Sequence, residues 1–288
     1  MTIAVLFPGQ GSQVAGMGHD WKGRAEWEVV VRAEDAVGAS LGHLLLDDDL
    51  ATTRAAQVAV LLASLMAWEA ARGQLGDGAA FAGHSLGQVT ALIAAGVVSF
   101  DDGLRFAVRR AEITQEAAHA RPGSMAALLG ASSETAASAV AAAAGSCWVA
   151  NDNAPGQIVV AGTHTGVATA AEAARALGVR RVTPLDVAAA FHTPLMADAA
   201  AALQAEVGKL AFHPPSAPVV SNDDAVAYAD AEGWRDRLAV HVIRPVRWRA
   251  SMETIVALGV THFAEVGPGG TLAALAKRCA PDLVAVAP

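Results

Sequence analysis

The 288-residue sequence predicts an α/β protein in which a small ferredoxin-like unit interrupts a larger layered one. Three observations carry this. Short apolar runs bounded by Pro and Gly alternate with helix-length segments. Residues 123 to 187 read as β-α-β-β-α-β, the order of a ferredoxin-like motif. Hydrophobic residues make up 53% of the chain, alanine and valine foremost, and aromatics only 5%, which suits layers packed through small side chains.

The elements follow in order. "IAVLF" (Ile3 to Phe7) is a short buried strand stopped at Pro8-Gly9. Ala55 to Arg72 has helical length and good helix formers. "AAFAG" is a second buried strand, and "SLGQVTALIAAGVV" the helix after it. Asp101 is expected to cap the next helix, which carries Arg105, Arg109, Arg110 and Gln115. The texture changes at Pro122-Gly123. "SMAALLG" is a strand, and "SSETAASAVAAAA" a helix that starts with a capping-box-like Ser132 or Ser133. "SCWVAND" and "QIVVAG" are strands joined by the turn "NAPG", "THTGVATAAEAARALG" is a helix, and "VRRVTPLDV" is a strand. The chain then returns through "AAAFHTPLM" to helices, an apolar strand "APVVSN", and a last strand "THFAEVG" closed by Pro268-Gly269-Gly270.

Bulk properties exclude several classes. A formal net charge of -8 makes nucleic acid an improbable partner, since that binding needs a concentrated positive surface. Cys147 and Cys279 make neither a disulfide framework nor a zinc spacing, and no metal is expected. A reducing cytoplasm fits. The N-terminal apolar stretch is too short for a secretory signal, and no apolar run reaches the length of a membrane span, so no membrane partner is expected.

The chemistry concentrates at "FAGHSLGQV". Gly83-x-Ser85-x-Gly87 lies between an apolar strand and a helix. Flanking glycines allow a tight turn that projects the serine hydroxyl from the sheet edge. The N–H of Leu86, at the helix start, can then donate to a developing oxyanion. An ordinary strand-to-helix turn with Ser85 as N-cap accounts for the same spacing. A serine needs a base to become a nucleophile. Of nine histidines, His192 stands out, at a β-to-helix junction just before Pro194. His84 neighbours Ser85, but successive residues at a turn point in different directions. His19, His43, His119, His164, His213 and His262 sit in solvated or helical segments.

Seven stretches then occur in register: "LFPGQGSQVAGMG", "GHSLG", "RAEITQEA", "ANDNAPGQIVVAG", "AFHTPLM", "RPVRW" and "EVGPGGTL". Together they resemble the malonyl-CoA:acyl-carrier-protein transacylase family, which includes the acyltransferase domains of polyketide synthases. The resemblance spans nearly the whole chain. It implies an α/β-hydrolase-like large subdomain, residues 1–122 and 188–288, with the ferredoxin-like subdomain at 123–187. It implies transfer of a malonyl group, or a similar carboxylated short acyl group, from CoA to the phosphopantetheine thiol of an acyl carrier protein. Ser85 would be the nucleophile and His192 the general base. The backbone N–H groups of Gln10 and Leu86 would form the oxyanion hole, and the backbone carbonyl of His241 would orient His192. Arg110 would pair with the malonyl carboxylate, the bidentate, permanently charged partner a buried carboxylate needs. Phe191, Gln57 and Asn153 complete the implied substrate-binding set, Phe191 leaving little room for an α-methyl branch. No metal or organic cofactor is implied.

The sequence departs from the family pattern in places. Gln88 stands where glutamate is usual, His241 where glutamine or asparagine is usual, and Ala111 and Thr114 where glycine and methionine are usual. The chain is also slightly short, with deletions placed between Gly18 and Phe81. A serine hydrolase or thioesterase shares the elbow, and a non-catalytic docking module would show a broken Ser–His pair. Fatty-acid synthesis, a polyketide synthase served in trans and the carrier subunit of malonate decarboxylase fit alike. Docking an acidic carrier protein needs a local basic patch, for which Arg180, Arg181, Arg244, Arg247 and Arg249 are candidates.

Overall fold

The structure is a computed structural model that describes residues 1–46, 50–76 and 78–288. Strand β1 (Ile3–Phe7) is followed by helices α1 (Glu28–Val37), α2 (His43–Leu46) and α3 (Thr53–Leu75). Strand β2 (Ala80–Gly83) then leads into α4 (Leu86–Ala94) and α5 (Phe100–Ala120). The inserted unit comprises β3 (Ser124–Leu129), α6 (Ser133–Ala142), β4 (Cys147–Ala154), β5 (Gln157–Gly162), α7 (His164–Ala176) and β6 (Arg181–Pro184). After it come α8 (Ala197–Val207), β7 (Val219–Val220), β8 (Ala227–Tyr228), α9 (Trp234–Val240), α10 (Trp248–Ala257), β9 (His262–Glu265), α11 (Thr271–Cys279) and β10 (Val284–Ala285).

The larger sheet has the order β10-β9-β1-β2-β7-β8. It is parallel except for the β7–β8 pair. A parallel strand covered on both faces must be apolar on both, which is why β1 and β2 read as unbroken apolar runs. Their side chains still divide by the strand's period of two. Val5, Phe7 and Phe81 face the core built with α3, α4 and α5, whereas Ala4, Leu6, Ala80 and Ala82 face the layer of α10 and α11. Trp68 of α3 meets Phe7 and Phe81 edge-on, at ring separations of 6.1 and 5.5 Å, which fixes the helix across the two central strands.

The smaller sheet is antiparallel, ordered β4-β5-β3-β6, with α6 and α7 against one face. This is the ferredoxin-like arrangement, and the layout is that of an α/β-hydrolase-like large subdomain with a ferredoxin-like insertion. Alternation again sorts the residues. Ala126 and Leu128 pack under the two helices, while Met125, Ala127 and Val159 face the larger sheet's side of the molecule, near Ala190 and Phe191.

Three expectations change. Ser99, not Asp101, caps α5: its side chain accepts from Asp102 N–H at 3.2 Å, and Asp101 lies in the first turn, paired with Arg32 at 3.0 Å. Ser99 has the extended backbone a cap needs, and the helix begins one residue later. The strand at "THFAEVG" is not the last, because β10 adds beyond it, and the two-residue β8 adds beside β7. The helix after Ser85 stops at Ala94. Ser132 does cap α6, accepting from Thr135 N–H at 3.2 Å.

Candidate active site

Ser85 sits between the end of β2 and the start of α4, at φ 52°, ψ −108°. For a residue with a side chain this conformation is strained, and it persists because the surroundings dictate it. The elbow is too tight for anything but glycine on either side. A Cβ on Gly83 would lie 1.9 Å from the carbonyl oxygen of Gly87, and one on Gly87 would lie 2.0 Å from that of Phe7. His192 is also in the left-handed region, at φ 61°. Its loop is tied by its own N–H to the Val242 carbonyl at 2.9 Å and by the Thr193 hydroxyl to the Ala190 carbonyl at 2.6 Å.

The two side chains meet. Ser85 Oγ lies 2.8 Å from His192 Nε2. His192 Nδ1 faces two carbonyl oxygens, of Arg244 at 3.0 Å and His241 at 3.1 Å. Both are acceptors, so the proton of a neutral imidazole sits on Nδ1, and Nε2 presents its lone pair to the serine hydroxyl. Burial, and secondarily the Arg110 guanidinium, pushes the His192 pKa down to about 3. The ring is therefore neutral and able to accept a proton at any physiological pH.

Arg110 comes from the buried side of α5. Its Nη1 donates to Gln57 Oε1 at 2.5 Å and its Nη2 to Ser85 Oγ at 3.3 Å. Gln57, on α3, donates through Nε2 to Thr114 Oγ1 at 3.2 Å and Gln10 Oε1 at 3.4 Å. Burial lowers the Arg110 pKa to about 10, which leaves it charged at neutral pH. No carboxylate pairs with it among the described residues, and its Nε is buried without a partner. The neighbouring Arg105 and Arg109 instead lie on the solvated side of the helix, paired with Asp102 and Glu112.

These groups open on a cavity of about 460 Å³ between the two sheets. Gln10, Leu86 and Phe191 line it from the larger unit, Asn153 and Gln157 from the smaller. Among the described residues, neither the Gln10 N–H nor the Leu86 N–H has an intramolecular acceptor. Asn153 Oδ1 is 2.8 Å from His84 Nε2, so His84 turns away from the serine and braces the opposite wall. All nine predicted site residues gather here, with His241 contributing its carbonyl from just behind the ring.

A model of the acyl transferase domain matches residues 5–283 of this chain. The malonyl CoA–acyl carrier protein transacylase of Salmonella typhimurium is 38% identical, over 99% of this chain and 95% of that protein. The chain belongs to this transacylase family. The Bacillus subtilis (strain 168) member is 36% identical over 96% of this chain and 90% of its own length. The crystal structure of malonyl-CoA:acyl carrier protein transacylase from Xanthomonas oryzae superposes with a TM-score of 0.93 at 38% identity, covering all of this chain and 95% of that one. A malonyl-transacylase bound to its type II polyketide-synthase acyl carrier protein superposes at 0.94 and 34% identity, over all of this chain and 96% of that one.

The family departures find concrete places. Thr114 lies behind the cavity, donating to the Arg110 carbonyl at 2.8 Å and supporting Gln57. Ala111 is fully buried and away from the cavity lining. Gln88 Oε1 accepts the backbone N–H of Asn222 at 2.6 Å. Of the candidate docking arginines, Arg180, Arg181, Arg244 and Arg247 are exposed, whereas Arg249 is engaged with Asp152 at 2.7 Å and Ser133 at 3.1 Å. Asn222, whose side chain holds the Ser85 N–H at 2.8 Å, was absent from the predicted set, as was the Arg244 carbonyl. Asn222's position at the end of the expected strand "APVVSN" is its one sequence signal, since sites of parallel α/β sheets collect at strand C-termini.

Proposed function

We propose that the protein transfers a malonyl group from CoA to the phosphopantetheine thiol of an acyl carrier protein, in fatty-acid or polyketide synthesis, through an acyl-Ser85 intermediate. One observation carries the reading: a buried guanidinium with no carboxylate partner among the described residues touches the hydroxyl of a serine already bonded to a neutral imidazole. A substrate that supplies a carboxylate and a thioester carbonyl a few bonds apart satisfies both.

Ser85 Oγ attacks the thioester carbon as its proton passes to His192 Nε2. The oxyanion is met by the N–H groups of Leu86 and Gln10. Collapse breaks the C–S bond, and the departing CoA thiolate takes the proton from His192. The carrier thiol then gives its proton to His192 and attacks the malonyl-Ser85 ester, and collapse returns that proton to Ser85 Oγ. The malonyl carboxylate pairs with Arg110, Phe191 bounds the α-carbon, and Gln57 and Asn153 complete the pocket. The charge matters twice. Pairing Arg110 with an anion also removes a cation from beside the imidazolium that forms in each step, so a carboxylated acyl group assists its own transfer. Exposed Arg180, Arg181, Arg244 and Arg247 supply the positive charge for an acidic carrier protein. No helix among the described residues is long and apolar enough to cross a membrane, and both cysteines are unpaired, in keeping with a cytoplasmic enzyme.

Intact-mass analysis after mixing with malonyl-CoA tests this. The expected result is one malonyl adduct, lost on addition of carrier protein and absent in Ser85→Ala. An adduct on Ser85→Ala, or sustained CoA release beyond one equivalent per enzyme that proceeds equally without carrier protein, would overturn the transferase reading.

A further inference from the structure

We infer that Asn222 is a positioning residue for the nucleophile, and that Gln88 and His241 act on Ser85 through it. The argument starts from the sheet. Strand β2 pairs with β7 only at Phe81↔Val219 and Ala82↔Val220. The main-chain ladder therefore ends before the elbow, where the left-handed turn at Ser85 would leave the flanking backbone groups buried and unpaired. The Asn222 side chain takes over. Its Nδ2 donates to the Gly83 carbonyl at 2.7 Å, and its Oδ1 accepts the Ser85 N–H at 2.8 Å. One amide thus spans the turn as a further strand residue would.

The orientation of that amide is dictated on every side. The Gly83 carbonyl requires a donor and the Ser85 N–H an acceptor, so Oδ1 and Nδ2 cannot exchange. The backbone of Asn222 is pinned by its own N–H to Gln88 Oε1 at 2.6 Å and by its carbonyl to Arg247 N–H at 2.9 Å. His241 Nε2 reaches the same Oδ1 at 3.2 Å. That oxygen only accepts, so His241 carries its proton on Nε2, and its bare Nδ1 is buried with no partner among the described residues. Burial keeps the ring neutral. His241 thereby serves both halves of the pair. Its carbonyl orients His192 and its ring steadies the amide that holds Ser85. A second consequence follows for the oxyanion. The nucleophile's own N–H is occupied by Asn222, leaving Leu86 and Gln10 as the donors.

The test uses a fluorophosphonate that labels Ser85, which needs neither Arg110 nor a carrier protein, so it stands apart from the malonyl reading. Asn222→Ala should slow labelling about tenfold or more, measured well below the variant's melting temperature. With malonyl-CoA the loss should fall on kcat, leaving KM within about threefold, because the acyl contacts are elsewhere. The pair His241→Gln and His241→Leu keeps the inference testable if Asn222→Ala does not fold. Both retain the carbonyl, but only glutamine can donate to Oδ1. Glutamine should label several-fold faster than leucine. Wild-type labelling by Asn222→Ala, a loss confined to KM, or equal rates for the two His241 variants would overturn the inference.

Discussion

Replacing Arg110 with alanine separates the reading of the acyl group from the acyl-transfer chemistry. Arg110 is 4% exposed, and its side-chain partners among the described residues are Gln57 and Ser85. On the proposed function, the malonyl carboxylate becomes the counter-ion of this buried guanidinium. Breaking such a buried pair by removing one partner costs about 3–5 kcal/mol. At about 1.4 kcal/mol per power of ten, kcat/KM for malonyl-CoA should fall between about 10²- and 10⁴-fold. Acetyl-CoA has no carboxylate to strand. It loses one long hydrogen bond to Ser85 Oγ and gains relief for the His192 imidazolium, so its loss should stay within about tenfold. The assay is the acylation rate of Ser85 by each thioester, read by intact mass in single turnovers. A drop by the same factor for both substrates would refute the reasoning, because Arg110 would then be serving Ser85 and not the carboxylate.

Acid should unfold the protein early. Burial pushes the pKa values of His84, His192 and His241 down, so between the usual histidine value and their folded values the unfolded chain binds more protons than the native one. Stability is then full above about pH 6.5 and declines below it, by up to about 4 kcal/mol per pH unit with all three engaged; chemical denaturation at stepped pH measures this, and a flat profile between pH 7 and 5 would contradict it. Gly87→Ala forces a Cβ against the Phe7 carbonyl and should cost about 3 kcal/mol or more, visible as a melting temperature at least about 5 °C lower. Phe191→Ala should improve methylmalonyl-CoA relative to malonyl-CoA by about 1–3 kcal/mol, read from competing acylation rates.

The parts of the site written into local sequence were legible from it. Ser85 announces itself through glycines that the 1.9 and 2.0 Å approaches make obligatory. His192 is marked by a loop with proline just beyond. The βαββαβ unit is legible because β3, β4 and β5 run to six or eight residues between turns and each helix carries a cap such as Ser132 or Thr163. Arg110 is different. It stands one position from Arg109, and only the family resemblance told the buried guanidinium from the solvated one. Asn222 left almost no trace, since its role depends on where a two-residue strand stops pairing. The Arg244 carbonyl left none, because main-chain atoms carry no residue signature. The same shortness hid β8 and β10, at two residues each too brief for alternation to register.

One wall of the cavity comes from a single uninterrupted stretch, β3 to β6, whose entry and exit are stitched together where Gly123 N–H meets the Ala188 carbonyl at 3.2 Å. Serine, imidazole and guanidinium all lie outside it. A gene exchange with just two crossovers would therefore replace the cavity wall that Asn153 and Gln157 line while leaving Ser85, His192 and Arg110 in their original scaffold.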